Sequence, residues 1–134
     1  MVLIVLLVLA VFVLQTLLPN RFREPAPAGQ GTNPLTESLG NRDHQPPLTL
    51  TGQRAQRALA NMHEALPVFL ALALMNMIVA PQAAQAVTGA TIFLIARVAY
   101  AVIYIVGIPV LRTLVWIAGW VGLILMLLPL IDRI

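Results

Sequence analysis

Four long apolar runs divide the chain. The first, "MVLIVLLVLAVFVLQTLLPN", is apolar for 18 residues to Leu18 and interrupted only by Gln15 and Thr16. A helix of that length, rising ~1.5 Å per residue, is about long enough to cross a bilayer. No basic segment precedes it and no small-x-small site follows it, so a retained span is expected in preference to a cleaved signal peptide. The second run extends from about Gln53 to Val79, with Thr51 as a possible N-cap and Pro81-Gln82 as its stop. Pro67 inside it cannot donate to the His63 carbonyl, which predicts a kink there. The third run, about Ala84 to Val106, ends at the turn signal Gly107 to Pro109, and the fourth covers about Leu111 to Ile131.

Residues 19–52 between the first two runs hold six of the ten prolines. A loop this long exceeds an ordinary connector. Its stretch "GNRDHQPPLT" mixes charge, turn formers and apolar residues, and is expected to be ordered.

Composition turns these runs into membrane spans. The chain has 134 residues, 60% hydrophobic and only 10% charged, with a mean hydropathy of +0.90; a soluble domain of this size could not cover so much apolar surface. The expected fold is an all-α integral membrane protein, a four-transmembrane-helix bundle in one domain over residues 1–134, with the lipid bilayer as its first partner. All eight basic residues are arginine, and no basic patch interleaves with aromatics, so no nucleic-acid partner is expected. Cysteine is absent, which excludes disulfides and a thiolate of the protein's own. His44 and His63 stand 19 apart without a ligand pattern, so no metal is expected.

With four spans, the long loop and the turn before Arg112 lie on one side. That side carries Arg21, Arg23, Arg42, Arg54, Arg57 and Arg112, whereas the other has only Arg133. The positive-inside rule then places the loop in the cytoplasm and both termini outside.

The second helix opens with the stretch "RAQRALANMHEALPVF". At ~100° per residue, Arg54, Arg57, Asn61 and Glu64 share roughly an 80° arc, and Arg97, Tyr100 and Tyr104 share roughly a 60° arc of the third helix. Arg112 opens the fourth. Ionisable groups at membrane depth cost ~2.5–3.5 kcal/mol each on insertion scales, so they are expected to face protein or a polar cavity. Arg54 or Arg57 could simply pair with Glu64, and Asn61 could bridge helices. Yet Arg54, Arg57, Arg97 and Arg112 outnumber the one acid within the spans, which leaves cationic forks suited to a ligand with carboxylates. Glu64 could then hold a ligand amine, while Tyr100 and Tyr104 either donate phenolic hydrogen bonds or form an interfacial belt. Trp116 and Trp120 read as belt and packing, Asn76 as helix-helix glue, and His63 points away from the stripe.

These residues resemble the signature of the MAPEG family, membrane-associated proteins in eicosanoid and glutathione metabolism: an arginine, an asparagine four later, a glutamate three after that, then a proline. "RVAYAVIY", the Pro109 to Arg112 turn and "GNRDHQPPLTLTG" are similar to the third-helix, fourth-helix and first-loop portions of bacterial members, and the resemblance covers nearly the whole chain. It implies a left-handed bundle assembling as a homotrimer in a bacterial inner (plasma) membrane, with glutathione bound as co-substrate between subunits near the cytoplasmic face. By position, Arg57, Asn61 and Glu64 match glutathione contacts on the second helix and Tyr100 and Tyr104 match contacts on the third. Arg112 is the candidate that activates the thiol, although its interval from Tyr104 departs from that of the eicosanoid enzymes.

Two functions follow as expectations. One is a glutathione-dependent transferase or peroxidase acting on lipophilic electrophiles, with Arg54 and Arg97 joining the glutathione contacts and no metal required. The other is a non-catalytic membrane protein whose arginines bind an anionic lipid headgroup or stabilise an assembly.

Overall fold

The computed structural model describes residues 1–25 and 46–133. Most of "GNRDHQPPLT", including Arg42 and His44, lies outside the described residues. Among those described, the fold is all-helical: α1 (Val2–Leu17), a short 3-10 turn (Pro19–Arg21), α2 (Leu50–Val79), α3 (Ala84–Val106) and α4 (Pro109–Ile131). All four helices are long and apolar enough to cross a membrane. Apolar side chains cover the outside, with Ile78 72% and Val110 74% exposed, an arrangement stable only where lipid or another protein surface replaces water.

The helix ends follow local chemistry. α2 starts earlier than Thr51 would set it, because Thr49 is the N-cap: its Oγ1 accepts from the Gly52 N–H at 3.2 Å and donates to the Phe22 carbonyl at 2.9 Å. α4 starts at Pro109, whose missing N–H costs nothing at the first helical position. α2 continues through Pro67 as one helix. The chain on either side of the long first loop is pinned together beside the start of α2. Glu24 N–H donates to the Pro47 carbonyl at 3.0 Å, Thr49 N–H to the Phe22 carbonyl at 2.9 Å, and the Arg23 guanidinium to the Pro46 carbonyl at 2.7 Å.

The core sits between the helices around Phe69 of α2 and Phe93 of α3, stacked at 4.5 Å between ring centroids, with Val8, Met62 and Met126 fully buried about them. α3 and α4 form the most extensive helix pair. Their backbones meet at Gly89 and Gly122: a Cβ on Gly122 would lie 2.7 Å from the Gly89 carbonyl oxygen and 2.9 Å from Phe93 N. In a bilayer, where burial supplies little drive between helices, such close approach is the main source of packing energy. Asn76 adds the expected glue, its Nδ2 donating to the Leu72 carbonyl at 2.8 Å and across to the Met126 carbonyl of α4 at 2.7 Å.

Candidate functional site

Gly107 ends α3 in the left-handed conformation, at φ 91°, and turns the chain so that α4 begins beside the α3 terminus. Arg54, near the start of α2, reaches over to this turn and its Nη1 donates to the Ile105 and Val106 carbonyls, each at 3.3 Å. These are carbonyls that the helix end leaves without partners, and the cation complements the negative end of the helix dipole. Arg57 lies one turn further along α2, its guanidinium carbon 6.0 Å from the Tyr104 ring centroid. Arg112, in the first turn of α4, stacks on the same ring at 5.0 Å. Tyr104 therefore has two guanidinium groups near its ring, which also packs against that of Tyr100 at 5.4 Å.

Two clefts meet at this tyrosine. One, of about 290 Å³, is lined by Tyr100, Tyr104, Arg112, Thr113 and Trp116. The other, of about 150 Å³, is lined by Arg54, Arg57, Tyr104, Arg112, Ile103 and the Gly107–Pro109 turn. Among the described residues, neither lining includes a carboxylate. A larger groove of about 570 Å³ between α1 and α3 has only apolar residues in its described lining, such as Leu7, Leu14, Ile95 and Val98, so it offers hydrocarbon chains a surface.

Five of the eight predicted site residues, Arg54, Arg57, Tyr100, Tyr104 and Arg112, are thus brought together. The other three are placed differently. Arg97 is 2% exposed and its Nη1 donates to Asn61 Oδ1 at 2.6 Å, with the guanidinium 4.9 Å from the Phe93 ring and 5.7 Å from that of Tyr100. Asn61 is half-buried, and Glu64 is exposed on α2 and lines neither cleft. The simple neutralising pair is not what occupies Arg54 and Arg57, which engage helix-end carbonyls and Tyr104. His63 turns towards α1, edge-on to Phe12 at 5.0 Å, away from the polar stripe as expected. Among the described residues no three His, Asp or Glu side chains converge on a point that could hold a metal ion.

Sequence reading missed Thr113 and Trp116 as cleft walls and assigned Trp116 to the interfacial belt. The signal was spacing, because Trp116 follows Arg112 by four residues and so shares its helix face. Trp116 is also 38% exposed and packs edge-on against Trp120 at 5.9 Å between centroids, so packing and cleft lining are both present.

Fold and site together define a helical membrane protein with four spans and a cationic cleft at one end of its bundle. Comparison with protein-family models matches the MAPEG family over residues 1–131, and the chain belongs to that family of membrane proteins in glutathione and eicosanoid metabolism. No curated protein and no solved structure matches it.

Proposed function

We propose that the paired clefts bind glutathione and that the protein is a glutathione-dependent transferase or peroxidase for lipophilic electrophiles. The observation that carries this reading is the pair of guanidinium groups, Arg57 and Arg112, within 6.0 Å and 5.0 Å of the Tyr104 ring centroid in clefts with no carboxylate among their described lining residues. Cations gathered without counter-charges among the described lining residues favour an anionic ligand, and planar forks suit carboxylates. Membership of the MAPEG family supports glutathione among such ligands. Glutathione also carries an amine, for which the exposed Glu64 is the acceptor offered on the same α2 face.

The functional assembly is a homotrimer. Arg57 and Glu64 are exposed on a membrane-spanning helix of the single chain, and a neighbouring copy would shield them from lipid and complete the site. The arginine-rich end faces the cytoplasm, with both termini outside, in a bacterial inner membrane.

In this reading Arg112 stabilises the thiolate. A free thiol has a pKa of ~8.5, so a nearby guanidinium raises the small anionic fraction present at neutral pH. The thiolate sulfur forms a bond to an electrophilic carbon, and the displaced group leaves with the electron pair. With a lipid hydroperoxide it attacks the terminal oxygen instead, breaking the O–O bond to give an alcohol and a glutathione sulfenic acid, which a second glutathione converts to the disulfide and water. Trp116 and Thr113 line the same cleft as Arg112, and in this reading they form the wall that a lipophilic substrate meets.

Isothermal titration of the detergent-solubilised protein with glutathione and with its thiol-free analogue ophthalmic acid tests the site. Comparable binding of both supports peptide recognition, and turnover assays with lipophilic electrophiles and hydroperoxides then test the chemistry. Absence of binding by either, in folded and oligomeric protein, refutes the glutathione reading and favours an anionic lipid site.

A further inference from the structure

Arg97 is the most deeply buried charge among the described residues, and it lines neither cleft. Three helices hold it. It projects from α3, donates to Asn61 Oδ1 of α2 at 2.6 Å, and occupies space left by Gly119 of α4, where a Cβ would fall 2.5 Å from Nη2. The Phe93 and Tyr100 rings pack against its guanidinium, and its Nε has no partner. This is more restraint than a ligand-seeking arginine needs, and it is directed at a single neutral amide.

A guanidinium carries only donors, so the Asn61 atom that faces it must be the carbonyl oxygen. The amide is planar, so its NH₂ group points the other way. That group has no hydrogen-bond partner among the described residues and is not among the sealed, unpartnered atoms of the core. Arg57 and Glu64 flank it on the same helix face, four residues before and three after, within reach of one bound molecule.

We propose that Arg97 is a positioning residue that locks the Asn61 amide in one orientation, so that Asn61 meets the bound peptide as a donor and takes an acceptor oxygen from it. Arg97 acts through Asn61 and does not touch the ligand. The proposal rests on the glutathione reading of the site, and its ligand group is a carboxylate or amide carbonyl oxygen.

The full-length protein in detergent is titrated calorimetrically with ophthalmic acid, and Tm is measured on the same samples. Asn61→Asp keeps an oxygen for Arg97 and supplies the negative charge that this buried cation lacks, but it removes the NH₂ donor. Tm is expected to rise while affinity falls on the order of tenfold, a split that a purely structural contact would not produce. Arg97→Met frees the amide to flip and weakens binding, whereas Arg97→Lys restores a donor and recovers part of the loss. Wild-type affinity in Asn61→Asp, or in folded Arg97→Met, overturns the proposal; should Arg97→Met fail to fold, Asn61→Asp decides alone. If the wild-type protein binds neither glutathione nor ophthalmic acid, the glutathione reading is what has failed. The Tm of Asn61→Asp then judges the lock by itself: a rise supports it and a fall overturns it.

Discussion

Replacing Gly107 by alanine perturbs the α3–α4 turn in two separable ways. At φ 91° the residue lies where an L side chain is strained, at a cost of about 1 kcal/mol. Its new Cβ would also fall 2.5 Å from Arg54 Nη1 and 2.7 Å from Cζ. The arginine must then retreat from the Ile105 and Val106 carbonyls, losing about 1 kcal/mol of charged hydrogen bonding weakened by its 3.3 Å length. Gly107→Ala should therefore cost about 2 kcal/mol, and Arg54→Ala, which removes only the cap, about 1 kcal/mol. The double variant should cost about 2 kcal/mol, short of the additive value by about 1 kcal/mol, because the cap can be lost only once. Denaturant-induced unfolding in mixed micelles, followed by circular dichroism, measures all three. Additive costs would show that Arg54 does not cap α3 and that the Gly107 turn is held by its backbone alone.

Other expectations concern packing and chemistry. Gly122→Ala should destabilise the fold by roughly 1–3 kcal/mol, since the atoms its Cβ meets are backbone and cannot rotate away; an unchanged midpoint in the same unfolding assay would contradict the close approach of α3 and α4. Asn76→Leu removes the bond to the Met126 carbonyl and should lower stability by about 1 kcal/mol, within the range measured for interhelical hydrogen bonds in membranes; no loss would make that bond incidental. Arg112→Ala should reduce turnover of a lipophilic electrophile by at least about tenfold, and by more than it weakens binding of ophthalmic acid, as expected for a group that also acts on the thiolate. Unchanged turnover would rule out its role. Glu64→Gln should weaken glutathione binding with assembly intact, checked by titration and by size-exclusion chromatography with light scattering; disassembly would instead assign Glu64 to subunit pairing.

The sequence by itself determined the four spans, their order and the faces on which polar residues lie. Those properties are local: run length sets whether a helix can cross a bilayer, and a 3.6-residue period puts Arg54, Arg57, Asn61 and Glu64 on one side whatever they meet. What each polar group meets was decided by the tertiary structure. Arg54 and Arg57 share a face, yet one caps the end of α3 and the other flanks Tyr104, because the left-handed turn at Gly107 brings the α3 carbonyls to the height of Arg54. Arg97 shares a stripe with two cleft tyrosines, yet it is sealed against Asn61 because Gly119 leaves room for it on α4. Trp116 becomes a cleft wall only when α4 stands beside Tyr100 and Tyr104. Distances between helices depend on glycine contacts such as Gly89 with Gly122, which join residues far apart in the chain, and no single-helix periodicity encodes such a distance.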